Sequence, residues 1–599
     1  MKKITFLVVA LVVSLVTMSQ MAGVYKVGIA EVSPNFSSLS AAVTALNTNT
    51  FGADVVLEIT SDLTEAANIG LGVNTAGFTL TIKPQAGVAP TLTFAGTTAQ
   101  SIDGNFVVGS PTFSSTNLIS TNNVLIDGSN TINGTTKDMT IIGAVTSSQI
   151  SVIRIFGNND NITIKNCIIT NRSTSASSTA PINVTDFFST SNFTPDNLTI
   201  SNNTLSSLAG NGGLGIYLSN SGNPTVGMTG IVISNNTISH RGTRAIMCNY
   251  VNDANIFGNQ ISATMQLAGA AGAGVYLTTG TSLAGTFNVY NNRFSNLSIL
   301  NNTAGTSNGY IAIDNGFSSP KIVNIYNNFI TGFAVTAAVS NSKLYGIRHS
   351  GASTSNIYNN TIVLPEMTNM TALGSSLLAG IAFATSATTE AAPTGTINIK
   401  NNIIVSNETG MKTWGIRRVG TGGTFTSNNN IIYPSNMING YVGFFNASDA
   451  SDIASWQTAS SQDADSKSVS VTFANDATGD LSIAGLSIQD ANLKVPSLAA
   501  VVNDIFGTVR NAEFTYAGAH ESTLPFLMTY LDDNVEQNAH IMRTSTGVEV
   551  SFAGEAVIEL YSINGMLIEK TNANGTYSRD LNNGVYIVRI NGKATKFIK

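Results

Sequence analysis

The chain reads as an all-β protein whose body is a solenoid of parallel strands, followed by a small antiparallel β-sandwich. Three observations predict this. A short Asn-containing phrase returns nine times through the middle of the chain at uneven spacing. The composition is that of strands and turns, and no 3.6-residue helical period competes with the repeats. Beyond residue 539 the phrase is gone, and alternating strands separated by Gly and Asn turns take its place.

At 599 residues the chain is too long for one ordinary core, which favours an architecture that grows by repetition. Charged residues make up only 10%, yet 43% are hydrophobic and 54 are Gly, so apolar surface suffices for a core and turns are abundant. The 28 basic and 34 acidic residues give a net charge of −6, with basic runs only at the termini, which argues against nucleic acid as a partner. Cys167 and Cys248 are too few and too far apart for a disulfide framework or a metal knuckle, so buried free thiols are expected, with no metal and no cofactor.

In chain order, Met1-Lys2-Lys3, an apolar run over 4–16, and small or polar residues around Ser19 and Ala22 predict a secretory signal peptide over 1–22, cleaved after Ser19 or after Ala22. The apolar run is short for a membrane span, and no later stretch has the composition of a membrane helix. Residues 36–46 place apolar side chains at helical spacing and predict a short amphipathic helix. Residues 55–59, 78–82 and 123–126 read as early, Asn-poor rungs.

The repeat then becomes explicit. Examples are Asn161-Ile-Thr-Ile-Lys-Asn-Cys-Ile168, Asn288-Val-Tyr-Asn-Asn-Arg-Phe294, Asn324-Ile-Tyr-Asn-Asn-Phe-Ile330 and Asn356-Ile-Tyr-Asn-Asn-Thr-Ile362. The first residue of each Asn pair, or its equivalent, falls at 166, 202, 235, 258, 291, 327, 359, 401 and 429. A constant phrase at variable steps means a fixed rung joined by loops of changing length, as in a solenoid. Period two places Ile325 and Ile357 inside and Tyr326 and Tyr358 outside. Asn tolerates the left-handed backbone that a corner requires, and stacked amides can hydrogen-bond from rung to rung. A second short strand recurs between the phrases, as in Gly215-Ile-Tyr-Leu218, Tyr345-Gly-Ile-Arg348 and Trp414-Gly-Ile-Arg417, so each coil has at least two strands.

These phrases resemble the right-handed parallel β-helix repeats of the pectin-lyase-like superfamily, over 51–521. The helix at 36–46 looks like the one that caps the open first coil in that superfamily and so implies an N-terminal cap over 23–50. The segments Trp456-Gln457, 463–466, Asp504-Ile-Phe-Gly507 with Arg510, and Ala517-Gly-Ala-His-Glu521 look like the closing coils of secreted β-helix proteins of the Bacteroidota. Asp504 and Arg510 are expected to form a capping salt bridge near a terminal rung. Residues 522–538 read as a linker.

The C-terminal module, 539–599, resembles the type A sorting domain of the type IX secretion system. Leu560-Tyr-Ser-Ile-Asn-Gly565 matches its strand and glycine turn, and Leu581-Asn-Asn-Gly-Val-Tyr-Ile-Val588 matches its Leu-x-x-Gly-x-Tyr-x-Val signature. The resemblance implies that Gly565, Leu581, Gly584, Tyr586, Val588 and Lys599 form the sorting signal. It further implies that the type IX machinery is a partner, and that the module is removed as the protein is released or attached to the outer surface. The family's Pro-Asn-Pro entry strand is absent, with His540-Ile-Met-Arg543 in its place.

For the body, the fold alone assigns no chemistry. The repeat region shows no Asp-Asp pair and no Gly-His-Gly, and Asp314, Glu366 and Glu408 fall in different coils without an evident partner, which argues against facing catalytic carboxylates. Aligning the second strands puts Arg154, Tyr217, Met247, Tyr276, Arg348, Ala382 and Arg417 in one outward column, beside His349 and Arg418. His240, Arg241 and Arg244 stand on a neighbouring turn. Arg348, His349 and Arg417 are the candidates for a β-elimination site, with solvated surface charge as the bland reading and a satisfied inward strand end as that for His349. A further column of Phe257, Tyr290, Tyr326 and Tyr358 reads either as a stacked structural ladder or as a platform for sugar rings. The expectation is therefore an exported protein that binds an extracellular polysaccharide or other ligand through Tyr217, Tyr276, Tyr290, Tyr326, Tyr358, Arg348 and Arg417. A polysaccharide lyase or hydrolase and a surface spacer are the alternatives.

Overall fold

The structure, a computed structural model, describes residues 20–598 except 97–103, 110–119, 146–149, 174–178, 187–194, 209–212, 221–224, 266–270, 300–308, 319, 336–342, 368–376, 386–390, 437, 525, 527–539 and 545. The apolar run of the expected signal peptide, most of the linker and Lys599 lie outside the described residues. Two compact units are present, one of residues up to 487 with 495–521, the other of 488–494 with 522–599.

The first unit is a right-handed parallel β-helix built from three long sheets of 13 strands each. One coil runs through Thr354–Tyr358 in the first sheet, Thr361–Leu364 in the second and Leu377–Phe383 in the third, then re-enters the first at Thr396–Lys400. Each coil therefore has three strands. The Asn phrase holds two of them, one on either side of its corner, and the short second strand of the sequence reading is the third.

The corner divides its labour between the two Asn residues. The first takes the left-handed conformation, with φ of 49–59° at Asn166, Asn202, Asn235, Asn291, Asn327, Asn359, Asn401 and Asn429, and Gly258 takes its place at +66°. The second is fully buried and forms a ladder through Asn203, Asn236, Asn259, Asn292, Asn328, Asn360, Asn402 and Asn430. Each Oδ1 accepts the backbone N–H of the residue one rung earlier, beginning with Cys167, at 2.9–3.1 Å. Corner and ladder together give every rung from Asn166 onward the same turn, and this explains the constancy of the phrase. Ile325, Ile357 and Ile399 stack in register in the core, as period two requires. Cys167 and Cys248 are buried and unpaired with each other.

The helix Leu39–Thr48 buries Leu39, Ala42, Val43 and Leu46 over the first coil, with Ser38 as N-cap. The first strand, Gln20–Val27, pairs in parallel with Thr50–Ile59 from Gln20 onward, so cleavage after Ser19 leaves this rung whole and cleavage after Ala22 cuts it. At the far end the helix Ile453–Ser460 closes the core with Trp456, whose indole meets Phe425 and Phe445 edge-on and donates to Asp463 Oδ2 at 2.7 Å.

Residues 495–521 do not add closing coils. They double back as a strap over the corner between the first and second sheets, where Asn401, Asn359 and Asn327 donate to carbonyls of Pro496, Gly518 and Asn503. The expected Asp504–Arg510 cap is likewise corrected. Arg510 pairs with Glu521 at 3.1 Å and donates to Asn327, three coils before the last, while Asp504 accepts the N–H groups of Phe506, Thr508 and Glu521.

In the second unit, the strands His540–Arg543, Gly547–Ser562, Leu567–Asp580, Val585–Ile590 and Lys593–Ile598 form one antiparallel sheet. The long strand Gly547–Ser562 bulges around Gly554, and Val548 and Val550 before the bend share a cluster with Ile558, Leu560 and Val588 after it, so the sheet folds over on itself as a small sandwich. Gly565 turns a hairpin at φ +77°, Tyr586 Oη donates to Asn582 O, and Leu581 packs at the margin of the cluster. Gly584 lies against the Tyr586 ring.

Candidate functional site

The recurring Gly-Ile of the third sheet sets which side chains face out. A Cβ on Gly346 would stand 2.8 Å from Ile362 Cγ2 and 2.6 Å from Gly380 O, so this position faces inward and admits no bulk. Ile347 also lies in the core, and the flanking residues Tyr345 and Arg348 are therefore the ones that face out. The same geometry repeats at Gly274, Gly380 and Gly415, whose inward space is filled by Phe294, Ile404 and Ile432.

The strand register unites one outer column in the order Arg154, Asn183, Tyr217, Met247, Tyr276, Asp314, Arg348, Ala382 and Arg417. A second column, three residues earlier in each strand, runs through Arg244, Ala273, Ile311, Tyr345, Ala379 and Trp414. Asp314 stands beside Arg348 and is its partner. Arg348 Nε donates to Asp314 Oδ1 at 2.9 Å and Nη2 to Oδ2 at 2.7 Å, with the two residues 9% and 3% exposed. Burial pulls this guanidinium down, and the charge and hydrogen bonds of Asp314 outweigh it, so the group is held above its ordinary value. Nη1 is buried without a hydrogen-bond partner among the described residues. Two coils before Asp314, Arg244 sets its guanidinium 4.4 Å from the centre of the Tyr276 ring, and burial holds it below its usual value.

Ile311, Tyr345, Ala379, Ala382 and Trp414 pack as an apolar cluster on this outer face. Below it, Arg417 is layered between Trp414 at 4.5 Å and Phe444 at 4.1 Å, and Trp414 Nε1 donates to Asp449. Tyr217 and Met247, further up the column, are half-buried. Arg154 donates to Thr185.

Other candidates part company with this cluster. His349 points inward and is fully buried, its Nδ1 against Ser355 Oγ at 2.7 Å and its Nε2 against Gly351 O at 3.1 Å; burial pulls the imidazole down to about 4. Arg418 also faces in, among Phe383, Phe425 and Phe445. His240 is internal against Tyr310, whereas Arg241 is exposed.

Tyr290, Tyr326 and Tyr358 belong to the first sheet, so they do not share a face with Tyr217, Tyr276, Arg348 and Arg417. Phe257, Tyr290 and Tyr326 stack with centroids 4.9 Å apart at 12° and 4°. Stacking covers the ring faces that a sugar would need and leaves hydroxyl edges outward. Tyr358 Oη turns to Asn356 Oδ1. Beside the rings, Asn288, Asn324, Asn356 and Asn398 each donate to the Asn of the preceding rung at 2.8–2.9 Å. This face is a structural double ladder.

The acids that seemed isolated in sequence are all engaged. Asp314 holds Arg348, Glu408 accepts the N–H groups of Met367, Gly410 and Met411, and Glu366 accepts from Thr409. Asp314 belongs to this column by register but carries no glycine marker, Ala312 standing where Gly346 and Gly380 do, and the second column is spaced three residues from the first rather than two. Compared with known proteins, the chain matches no family model and no curated protein.

Proposed function

We propose that this chain is an exported β-helix that holds an acidic extracellular polysaccharide along the outer face of its third sheet, around Arg244, Tyr276, Asp314 and Arg348. The carrying observation is the Arg348–Asp314 pair. A buried ion pair contributes little net stability, and the next coil places Ala382 at the same register, so coil stacking needs no charge there. A guanidinium fixed by two bonds to Asp314, with Nη1 left over, suits one further contact with a carboxylate or sulfate. Arg244, on the strand three rungs before Arg348, reaches over Tyr276 and adds a second cation and an aromatic ring to the same face. The resemblance of residues 539–599 to a sorting domain, together with the apolar N-terminal run, supports delivery to the cell surface or medium through the type IX machinery.

The test is binding of the purified protein to polyuronates and sulfated glycans beside their neutral counterparts. Acidic polymers should bind, more weakly as salt rises, and Arg348→Met with Arg244→Met should lose roughly 2 kcal/mol or more of affinity. Equal binding of neutral polymers, or no change in the double variant, rejects the site. The position of Arg244 above Tyr276 favours one second reading, a lyase in which the Tyr276 oxygen acts as phenolate, takes the proton next to the uronate carboxyl, and the 4-linked glycosidic oxygen leaves as the double bond forms. Unsaturated ends released from a polyuronate by wild type and not by Tyr276→Phe would establish it.

A further inference from the structure

The corner between the first and second sheets does more than turn the chain. Its left-handed Asn residues point their amides outward, and five of the eight use Nδ2 to grip the backbone of a segment lying across the coils. Asn166 and Asn202 donate to Gly134 O and Thr135 O at 3.1 and 2.8 Å. Asn327, Asn359 and Asn401 donate to Asn503 O, Gly518 O and Pro496 O at 2.6, 3.3 and 2.7 Å. Two unrelated segments of the chain are thus held by one chemistry, an amide donor meeting a main-chain carbonyl.

Between these two occupied stretches the corner is open. Asn235 is exposed, Gly258 follows it, and Asn291 is half-buried with an Oδ1 that is itself buried and unpartnered. Among the described residues neither Asn235 nor Asn291 donates to a carbonyl. The open stretch is flanked by Phe257 and Tyr290 on the first sheet and by Thr237, Gln260 and Arg293 on the second. It adjoins the strap directly, since Phe506 lies 4.8 Å from the Arg293 guanidinium.

We propose that the corner at Asn235, Gly258 and Asn291 docks an extended polypeptide segment of a partner protein, held through its main-chain carbonyls. The site continues, coil for coil, the interface that the strap already makes with the next three rungs. Recognition through carbonyls tolerates many side-chain sequences, as in strand addition to a sheet edge. Three rungs spaced about 4.8 Å apart span about 10 Å, which three or four extended residues cover. Arg293 at the lower end favours a segment with an acidic residue there, as Asp480 of the chain's own fold already acts on it.

The probe is a capped synthetic peptide with the sequence of residues 495–521, added to the full chain, whose own strap fills the neighbouring seat. Hydrogen exchange should slow over 231–239, 254–262 and 286–294. Asn235→Gly with Asn291→Gly keeps the positive φ that Gly258 shows the corner accepts, removes both donors, and should weaken binding about thirtyfold. Protection confined to 327–401, absence of protection, or equal affinity of the double glycine variant would each overturn the proposal. Displacement of the peptide by a neutral oligosaccharide would overturn its polypeptide class.

Discussion

Replacing Asn328 by Ala tests whether the inner Asn ladder, and not the Asn corner, holds the rungs together. Asn328 is fully buried, and its Oδ1 accepts the backbone N–H and the Nδ2 of Asn292 at 3.0 and 3.1 Å. Its Nδ2 donates to Val289 O, Tyr326 O and Asn360 Oδ1 at 2.9–3.1 Å. The Ala variant strands the Asn292 N–H in the interior, takes the second partner from the Val289 carbonyl and removes one of two bonds from the Asn292 amide. At about 1–3 kcal/mol for the stranded donor and about 1 kcal/mol for each of the other two bonds, the loss should be about 3–5 kcal/mol. Asn235→Ala is the control, because that exposed corner loses only its left-handed preference, about 1 kcal/mol. Urea unfolding followed by circular dichroism should separate the two variants by several-fold in the free energy lost. Equal losses would mean that corner conformation carries the stability, and the ladder reasoning would be wrong.

Acidification should weaken the fold through its buried imidazoles. Burial pulls His349 down to about 4 and His240 to about 3, below the unfolded value near 6.5, so the unfolded chain takes up these protons first. Stability is then complete above about pH 7 and falls as pH drops through 6.5 toward 4, by roughly 3 kcal/mol for His349 alone. His349→Gln should flatten that slope, and an unchanged slope would show that the residue is solvated. Both thiols should resist alkylation in the native protein and react fully once it is unfolded, since burial pushes Cys248 up to about 12 and raises Cys167 further. Rapid native labelling, or a mass showing a bond between the two, would contradict their placement in separate sheets.

What was legible in the sequence was local or periodic. The corner could be read because Asn is chosen there for its own backbone, and the inward Ile and outward Tyr follow from strand alternation. The parity that puts His349 inside is visible in the same way. The third strand of each coil was hidden inside the Asn phrase, since a corner of one or two residues leaves no gap in the apolar pattern. The strap was illegible for a different reason. Its contacts join residues as distant as Asn327 and Arg510, and a segment that crosses rungs instead of joining them carries no period. The Tyr ladder was half legible: its register could be counted, but coverage of the ring faces appears only when the stacking angle is known.

The three faces of the β-helix differ in the freedom their sequences retain, and this supports placing the proposed binding surface on the third sheet. From Asn166 onward the connection between the first and second sheets is only a residue or two, because the buried ladder must meet itself on every rung. The connections on both sides of the third sheet carry no such constraint. They range from residues 241–243 to residues 365–376 before its strands, and from 250–253 to 384–395 after them. The first face is committed to its Asn and Tyr ladders, and the lower part of the second is covered by the strap. The outer third sheet alone combines length-variable flanks with charges that coil stacking does not require. A binding surface could change there without disturbing the rungs, and that is where the Arg348–Asp314 pair stands.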